Sequence, residues 1–489
     1  MRTQNPREIA LVAAASDGAF AVRLITPDSV DPADVAALGA VPAGATGAPG
    51  THRGATRAVI GLVDGSPRLV IDAGRDRAAA RSAGVAVSHA GHPMVAVSGA
   101  VALGSEERMI AFLDGLLSAA YRFDRHRTRT ATLVPLERVE ILLSGDPGTD
   151  ERLATALADT LAAAYATELA RDLVNEAPSI LTPSAMAGVA SDVAGRVGLE
   201  IEVLDEVALA AAGCGAILGV GRGSAEPPRL VMLRTRTENP VARVALVGKG
   251  ITFDAGGLFL KRADGMVDMK GDMAGAAAIL GAMAVAAACA PRVEVRGYLA
   301  LAENLPGPHA VKPGDVLRTR KGLTIEVNDP DAEGRMVLSD ALAMAGETGP
   351  DLIVDLATLT GSKQVALGNA MAAIYATDDR SAALVEEAGA AASEPVWRMP
   401  LADIYRARLD SRVADLRLCD PLATAPDSII AALFLREFVP EGTAWVHVDM
   451  AGGELADRDG EVPEGMATGF GARLLVELLR ALDRSGPAA

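Results

Sequence analysis

Cysteine is nearly absent from this 489-residue chain. The three present, Cys214, Cys289 and Cys419, are odd in number and far apart, and no CxxC pair occurs. That excludes a disulfide framework or thiolate zinc site and fits single thiols in a reducing cytoplasm. Histidine is scarce too. The six, at 52, 89, 92, 126, 309 and 447, show no HExxH spacing. Any metal site must therefore be mainly oxygen-ligated. Positive charge is also short, with 46 Lys and Arg against 63 Asp and Glu, a formal −17. Nucleic acid is not expected as a partner, because phosphate binding needs a cationic face. Low complexity is missing as well, since 50 Gly and 27 Pro make only about a sixth of the chain. Long uncharged runs are few. Residues 273–290 make one of 18, the length of a marginal membrane helix. It is mostly alanine and starts against Asp272, so a buried helix on a sheet is expected. The apolar stretch 9–15 is too short for a signal peptide and reads as a strand. No export signal or membrane anchor is expected, and the protein reads as cytoplasmic.

Half of the residues are hydrophobic, enough for a sizeable core. Residues 1–150 alternate apolar stretches (9–14, 58–63, 68–71, 95–101, 138–144) with turns and a helical stretch at 106–120. This pattern predicts a smaller N-terminal α/β domain. Its basic segment, 121–129, reads as a solvated face. Residues 151–175 have helical periodicity without Gly or Pro and predict a connecting helix. In 176–489, strands at 199–204, 229–233, 244–247, 294–301, 352–356 and 445–450 alternate with alanine-rich helices. That order predicts a larger C-terminal α/β/α domain with a mainly parallel central sheet. Ligands in such sheets bind outside the carboxyl ends of the strands, where Lys249, Glu303 and 358–361 are expected. The glycines of GVGRG (219–223) read as a tight turn between strands, and no GxxxxGK[ST] occurs.

Two tracts concentrate the chemistry: LVGKGITFDAGGLFLKRADGMVDMKGDMAGAA (246–277) and NDPDAEGRMVLSDAL (328–342). They hold the carboxylates of Asp254, Asp272, Asp331 and Glu333, together with Lys249, Lys261 and Arg335. In the first, the strand is expected to end at Val247, with Asp254 in a turn closed by Gly256 and Gly257. Asp272 is expected to open the alanine-rich helix, where amides and dipole favour a carboxylate. In the second, the two-residue step from Asp331 to Glu333 aims both side chains one way on extended or turning backbone, and Arg335 repeats it. Four unpaired carboxylates in one pocket would repel strongly. Two dications would neutralise them, and metals about 3.5–4 Å apart can bridge a water and lower its pKa. A lysine can ligate only as the neutral amine. A second, kept protonated, can stabilise an oxyanion. Metal-assisted hydrolysis of an acyl bond is the expected chemistry. A dinuclear phosphoesterase would want more Arg and His than the tracts hold.

The tracts resemble the two signatures of the leucyl aminopeptidase (cytosol aminopeptidase) family of dinuclear metallopeptidases. The second, usually NTDAEGR, reads DPDAEGR here (329–335). The resemblance runs from about residue 170 to 479, through RDLVNEAPSILTP (171–183), LGVGRGSAEPPRLVML (218–233), AENLPGPHAVKPGDVL (302–317), DLATLTG (355–361), HVDMAG and ATGFGARLLVELL. The N-terminal domain matches weakly, through YRFDR (121–125). The resemblance implies two divalent ions, Mn2+ or Zn2+. Lys249, Asp254, Asp272 and Glu333 would hold the tighter one, and Asp254, Asp331 and Glu333 the more exchangeable one. It implies Lys261 as the electrophile facing the scissile carbonyl and Arg335 as anchor of a bicarbonate general base. Thr358, Leu359 and Gly361 would contact the peptide backbone, and Met269 would line the pocket for the first side chain. A homohexamer acting on peptides with a free N-terminus is implied as well. The chain departs from the pattern at Ala255, usually Ser, and at Asp329-Pro330, usually Asn-Thr. The asparagine lies beside the first side chain in relatives. Asp329 is therefore expected to shift the preference from leucine toward basic N-terminal residues.

Overall fold

The computed structural model describes residues 8–12, 20–25, 58–63, 66–72, 76–89, 94–98, 106–129, 138–142, 145–420 and 426–485. The chain divides into two compact units, residues 1–164 with 458–464 and residues 165–457 with 465–489. In chain order the strands are β1 (Glu8–Val12), β2 (Phe20–Ile25), β3 (Ala58–Val63), β4 (Ser66–Asp72), β5 (Met94–Ser98), β6 (Arg138–Leu142), β7 (Glu200–Leu204), β8 (Arg229–Arg234), β9 (Ala242–Asp254), β10 (Val293–Asn304), β11 (Val316–Arg318), β12 (Thr324–Glu326), β13 (Leu352–Ala357), β14 (Ala372–Ala376), β15 (Val396–Arg398), β16 (Leu416–Arg417) and β17 (Ala444–Asp449).

The first unit holds a six-stranded sheet in the order β1-β6-β5-β2-β4-β3. Its neighbours run parallel except β3 and β4. Ala80, Val87, Phe112, Leu116, Val95 and Ile141 form its core. The helix Glu106–Ala120 occupies the expected span. Strand β2 and the helix Arg77–Ser88 were not legible in the sequence. Residues 13–14, 99–101 and 143–144, where three strands were expected to continue, lie outside the described residues. The helix Pro147–Asn175 begins in the first unit and ends in the second.

The second unit is built on an eight-stranded sheet, β15-β14-β17-β13-β9-β10-β8-β7. The four central strands β17, β13, β9 and β10 are mutually parallel. Antiparallel β14 and β8 flank them. Parallel strands covered on both faces read as continuous apolar runs, and β13 is buried at all six positions. The uncharged helix Ala274–Cys289 is apolar around its whole circumference and buried from Ala274 to Ala286, as a core helix is.

Two local expectations are corrected. Strand β9 does not end at Val247 but runs through Gly248 and Gly250 to Asp254. A Cβ on Gly248 would lie 2.6 Å from Ala276 Cα. Glycine there lets the helix approach the strand rather than turning the chain. Likewise Gly219 and Gly221 lie in the helix Gly215–Gly221, not in a turn between strands. The first amides of that helix, at Ala216 and Ile217, donate to Asp340 Oδ2, each at 2.9 Å.

Candidate metal centre

Parallel β9 and β13 are neighbours, so their carboxyl ends open on the same side. Lys249 and Asp254 come from β9, and Thr358 directly follows β13. Beyond Asp254 the chain folds back on itself. Gly256 and Gly257 have φ of 87° and 59°, conformations that glycine adopts without strain. Lys261 N donates to the Ala255 carbonyl at 3.0 Å, closing the loop. This returns the Lys261 ammonium to Asp254, seven residues earlier. Its Nζ stands 2.7 Å from Asp254 Oδ2 and 2.6 Å from Asp331 Oδ1.

Lys249 is held from three directions. Its Nζ lies 2.7 Å from Asp272 Oδ1 and 3.0 Å from Glu333 Oε1, and donates to the Thr358 carbonyl at 2.9 Å. Oxygens of the buried Asp254, Asp272 and Glu333 lie within 4.8 Å of one another. The Asn304 amide reaches Asp254 Oδ1 at 2.9 Å, the Pro330 carbonyl at 3.0 Å and Glu333 Oε2 at 3.2 Å. Thr358 Oγ1 donates to Asp272 Oδ1 at 2.7 Å. Asp272 Oδ2 remains buried without a partner.

These groups strain against shared ionisation. Burial, reinforced by Glu333, pushes the Asp254 carboxyl up to about 7. Burial also raises Asp272 well above its ordinary value and raises Asp331. Burial acts on Glu333 in the same sense, but Lys249 and Lys261 outweigh it and hold Glu333 below its usual range. Burial opposes the charge on both lysines. It is outweighed by Asp272 and Glu333 at Lys249, and by Asp254 and Glu333 at Lys261, so both are raised. Two lysines do not balance four carboxylates. The oxygen-rich donor set and the orphaned Asp272 Oδ2 fit divalent cations. As a ligand, Lys249 would have to shed its proton, which a nearby dication favours.

Two side chains point otherwise than the spacing suggested. Glu333 is the first residue of the helix Glu333–Gly346. Helical rotation therefore carries Arg335 away from the direction of Asp331 and Glu333. Asp272 does not open the long helix. It ends a 3-10 turn, Met269–Gly271, two residues before Ala274, and its carboxylate meets Lys249 and Thr358 instead. Half-buried Met269 starts that turn. Asp329 Oδ1 accepts from Asp331 N at 3.0 Å, pinning the turn that presents Asp331. Leu359 N donates to Asp449 Oδ1 at 3.2 Å and Thr360 Oγ1 to Asp449 Oδ2 at 2.6 Å. Gly361 starts the helix Gly361–Leu367 and is exposed.

Sequence reasoning missed four polar residues here. Asn304 and Asp449 lie in the segments AENLPGP and HVDMAG, whose likeness to relatives was the available signal. Glu454 lies against Gly271, where an added Cβ would be 3.0 Å from its Cγ. Burial pushes its carboxyl up to about 7, and its Oε2 is buried without a partner. Asp427, which pairs with Arg335, has no local signal.

A buried, lysine-flanked acidic cluster at the carboxyl ends of parallel strands defines a metal-dependent α/β enzyme. Residues 168–476 match the model of the "Cytosol aminopeptidase family, catalytic domain". The chain is 43% identical over 416 residues to a probable cytosol aminopeptidase of Leifsonia xyli subsp. xyli, covering 83% of this chain and 80% of that protein. It is 41% identical over 426 residues to one of Streptomyces coelicolor, covering 83% and 81%. Among solved structures it resembles the bottromycin maturation enzyme BotP in complex with Mn, with a TM-score of 0.83 and 37% identity, over 95% of this chain and 99% of that one. The chain belongs to the cytosol aminopeptidase family. It is accordingly a hydrolase, an aminopeptidase that acts on peptides with divalent metal ions.

Proposed function

We propose that the protein removes single N-terminal residues from peptides with a free α-amine, using two divalent cations. Lys249, Asp254, Asp272 and Glu333 hold the tighter ion in this reading, and Asp254, Asp331 and Glu333 the exchangeable one. The observation that carries it is the gathering of Asp254, Asp272 and Glu333 within 4.8 Å, with an orphaned Asp272 oxygen. When bound, such cations supply Lewis acidity that polarises the scissile carbonyl and makes a water nucleophilic near neutral pH.

The chain's own groups do the rest. Asn304 orients Asp254 and Glu333 through its amide. Lys261, more exposed than Lys249 at 16% against 4% of its side chain, is the ammonium available to stabilise the oxyanion. Asp449 fixes the stretch from Leu359 to Thr360, so that Thr358, Leu359 and Gly361 offer a firm edge to the peptide backbone. Met269 lines the pocket for the first side chain. The preference is leucine-type, and Asp329 extends it to basic residues. An anion at Arg335, bicarbonate by resemblance to the family, serves as general base. The Mn-bound BotP structure supports manganese, with zinc the other candidate. The relatives' names support a cytoplasmic location. A homohexamer rests on the resemblance alone.

The test is hydrolysis of leucine p-nitroanilide by purified protein, before and after chelation and with Mn2+ or Zn2+ restored. Metal-dependent release, absent with the N-acetylated substrate, is expected. Equal turnover of the N-acetylated substrate, or turnover indifferent to chelation, would overturn the proposal.

A further inference from the structure

Glu454 carries a carboxylate oxygen without a partner beside the metal centre. Strand β17 runs parallel to β13, and β13 to β9, so the chain beyond Asp449 emerges on the side where Lys249 and Asp254 stand. Gly453 N donates to the Met450 carbonyl at 2.8 Å, closing the turn that leads to Glu454. There Glu454 Cγ lies against Gly271, where an added Cβ would be 3.0 Å away. Gly271 ends the turn Met269–Gly271 and directly precedes Asp272 of the acidic cluster. Backbone amides of Gly452 and Glu454 face the carboxyl, and the charges of Lys363 and Lys249 act on it. Neither lysine pairs with it. Lys363 donates to the carbonyls of Gly368 and Ala451, each at 2.9 Å, and Lys249 is held by Asp272, Glu333 and Thr358. Glu454 Oε2 is buried with no hydrogen-bond partner. Nor does Glu454 belong to the group gathered within 4.8 Å, so it stands beside the ion site rather than among its ligands. A buried acceptor of this kind is costly until a donor reaches it.

We propose that Glu454 is a specificity residue, whose spare oxygen receives the cationic end of a lysine or arginine side chain at the N-terminus of the peptide. This rests on the aminopeptidase reading, which puts the first side chain against Met269, on the same turn as Gly271. A guanidinium or ammonium supplies both the missing donor and the missing charge. A neutral side chain of the same shape supplies no charge. A site built around a buried polar group discriminates against a ligand that leaves it unpaired far more sharply than an apolar pocket discriminates by size. Asp329 adds negative charge, but one of its oxygens is engaged by Asp331 N at 3.0 Å.

The experiment compares kcat/KM for arginine and citrulline p-nitroanilides, which match in shape and differ in charge. The proteins are metal-loaded wild type, Glu454→Gln and Asp329→Asn. Wild type should favour arginine about 10–100-fold, the scale of one hydrogen bond to a charged group. Glu454→Gln, which keeps the shape of the side chain and loses its charge, should remove most of that preference. The ratio is read within each protein, so a general loss of stability or metal does not move it. A wild-type ratio near unity would overturn the proposal, as would an unchanged ratio in Glu454→Gln. Should Glu454→Gln fail to fold, Asp329→Asn decides. It should lower the ratio only in part, and loss of the whole preference there would overturn the assignment to Glu454. A wild type that hydrolyses no amide would count against the aminopeptidase reading. Calorimetric binding of arginine amide against citrulline amide would then test Glu454 separately: tighter binding of arginine amide, lost in Glu454→Gln, upholds it, and equal binding overturns it.

Discussion

Replacing Gly334 with alanine sets two effects of opposite sign against each other. Gly334 is the second residue of the helix Glu333–Gly346, and alanine there gains at most about 1 kcal/mol of helix propensity. The new methyl, however, would stand 2.5 Å from Lys249 Cε and 2.7 Å from both Cδ and Nζ. Carbon contacts settle near 3.5 Å, so the lysine must retreat by roughly 1 Å. An exposed lysine would simply swing away. This one is 4% exposed and pinned by Asp272, Glu333 and the Thr358 carbonyl at 2.7, 3.0 and 2.9 Å. Breaking a buried ion pair of this kind costs about 3–5 kcal/mol, more than the propensity gain. Gly334→Ala should therefore melt lower than wild type, take up less metal and lose most of its kcat/KM. Thermal melting with and without Mn2+, together with metal analysis, reads all three. A variant that melts at or above wild type with a full metal complement would refute the reasoning.

Lys261→Ala should retain its metal, because the substitution removes a competing cation from Asp254 and Asp331. Its kcat should fall about 10²–10³-fold, the scale of losing one oxyanion donor, and near-normal turnover would remove the lysine from the chemistry. Asp329→Asn should lower the rate with arginine amide relative to leucine amide, and an unchanged ratio would end the charge argument for that residue. In the cation-free protein, burial first and Glu333 second raise the Asp254 carboxyl from 3.8 to about 7. Between those values the folded chain holds a proton that the unfolded chain has lost, so stability falls as pH rises through this window. Cations remove that penalty. The gap in Tm between metal-loaded and chelated protein should thus be wider at about pH 7 than at about pH 5, and an equal or narrower gap would contradict the assignment of Asp254 as a ligand.

The sequence made some of this architecture plain because buried parallel strands leave a one-dimensional trace. Strands β8, β13 and β17 were located to within one residue at each end from apolar runs between turn residues. Strand β9 was read two residues short at its start and seven at its carboxyl end, the latter because a glycine that admits a neighbouring helix looks locally like one that turns the chain. Arg335 was aimed wrongly for a similar reason. A two-residue step keeps its direction on extended backbone but not once Glu333 has begun a helix.

By itself the sequence determined the donor types, their order and the excess of carboxylates over lysines, and these point to divalent cations whatever the detailed geometry. Only the tertiary structure decided the partners: Lys249 on Asp272 and Glu333, Lys261 on Asp254 and Asp331, Asn304 across Asp254 and Glu333. Asp427 meets Arg335 from 92 positions away. Sequence patterns report periodicity and turns over a few residues. Charges in a buried site act over a few ångströms, and packing alone chooses which distant residues come within that reach.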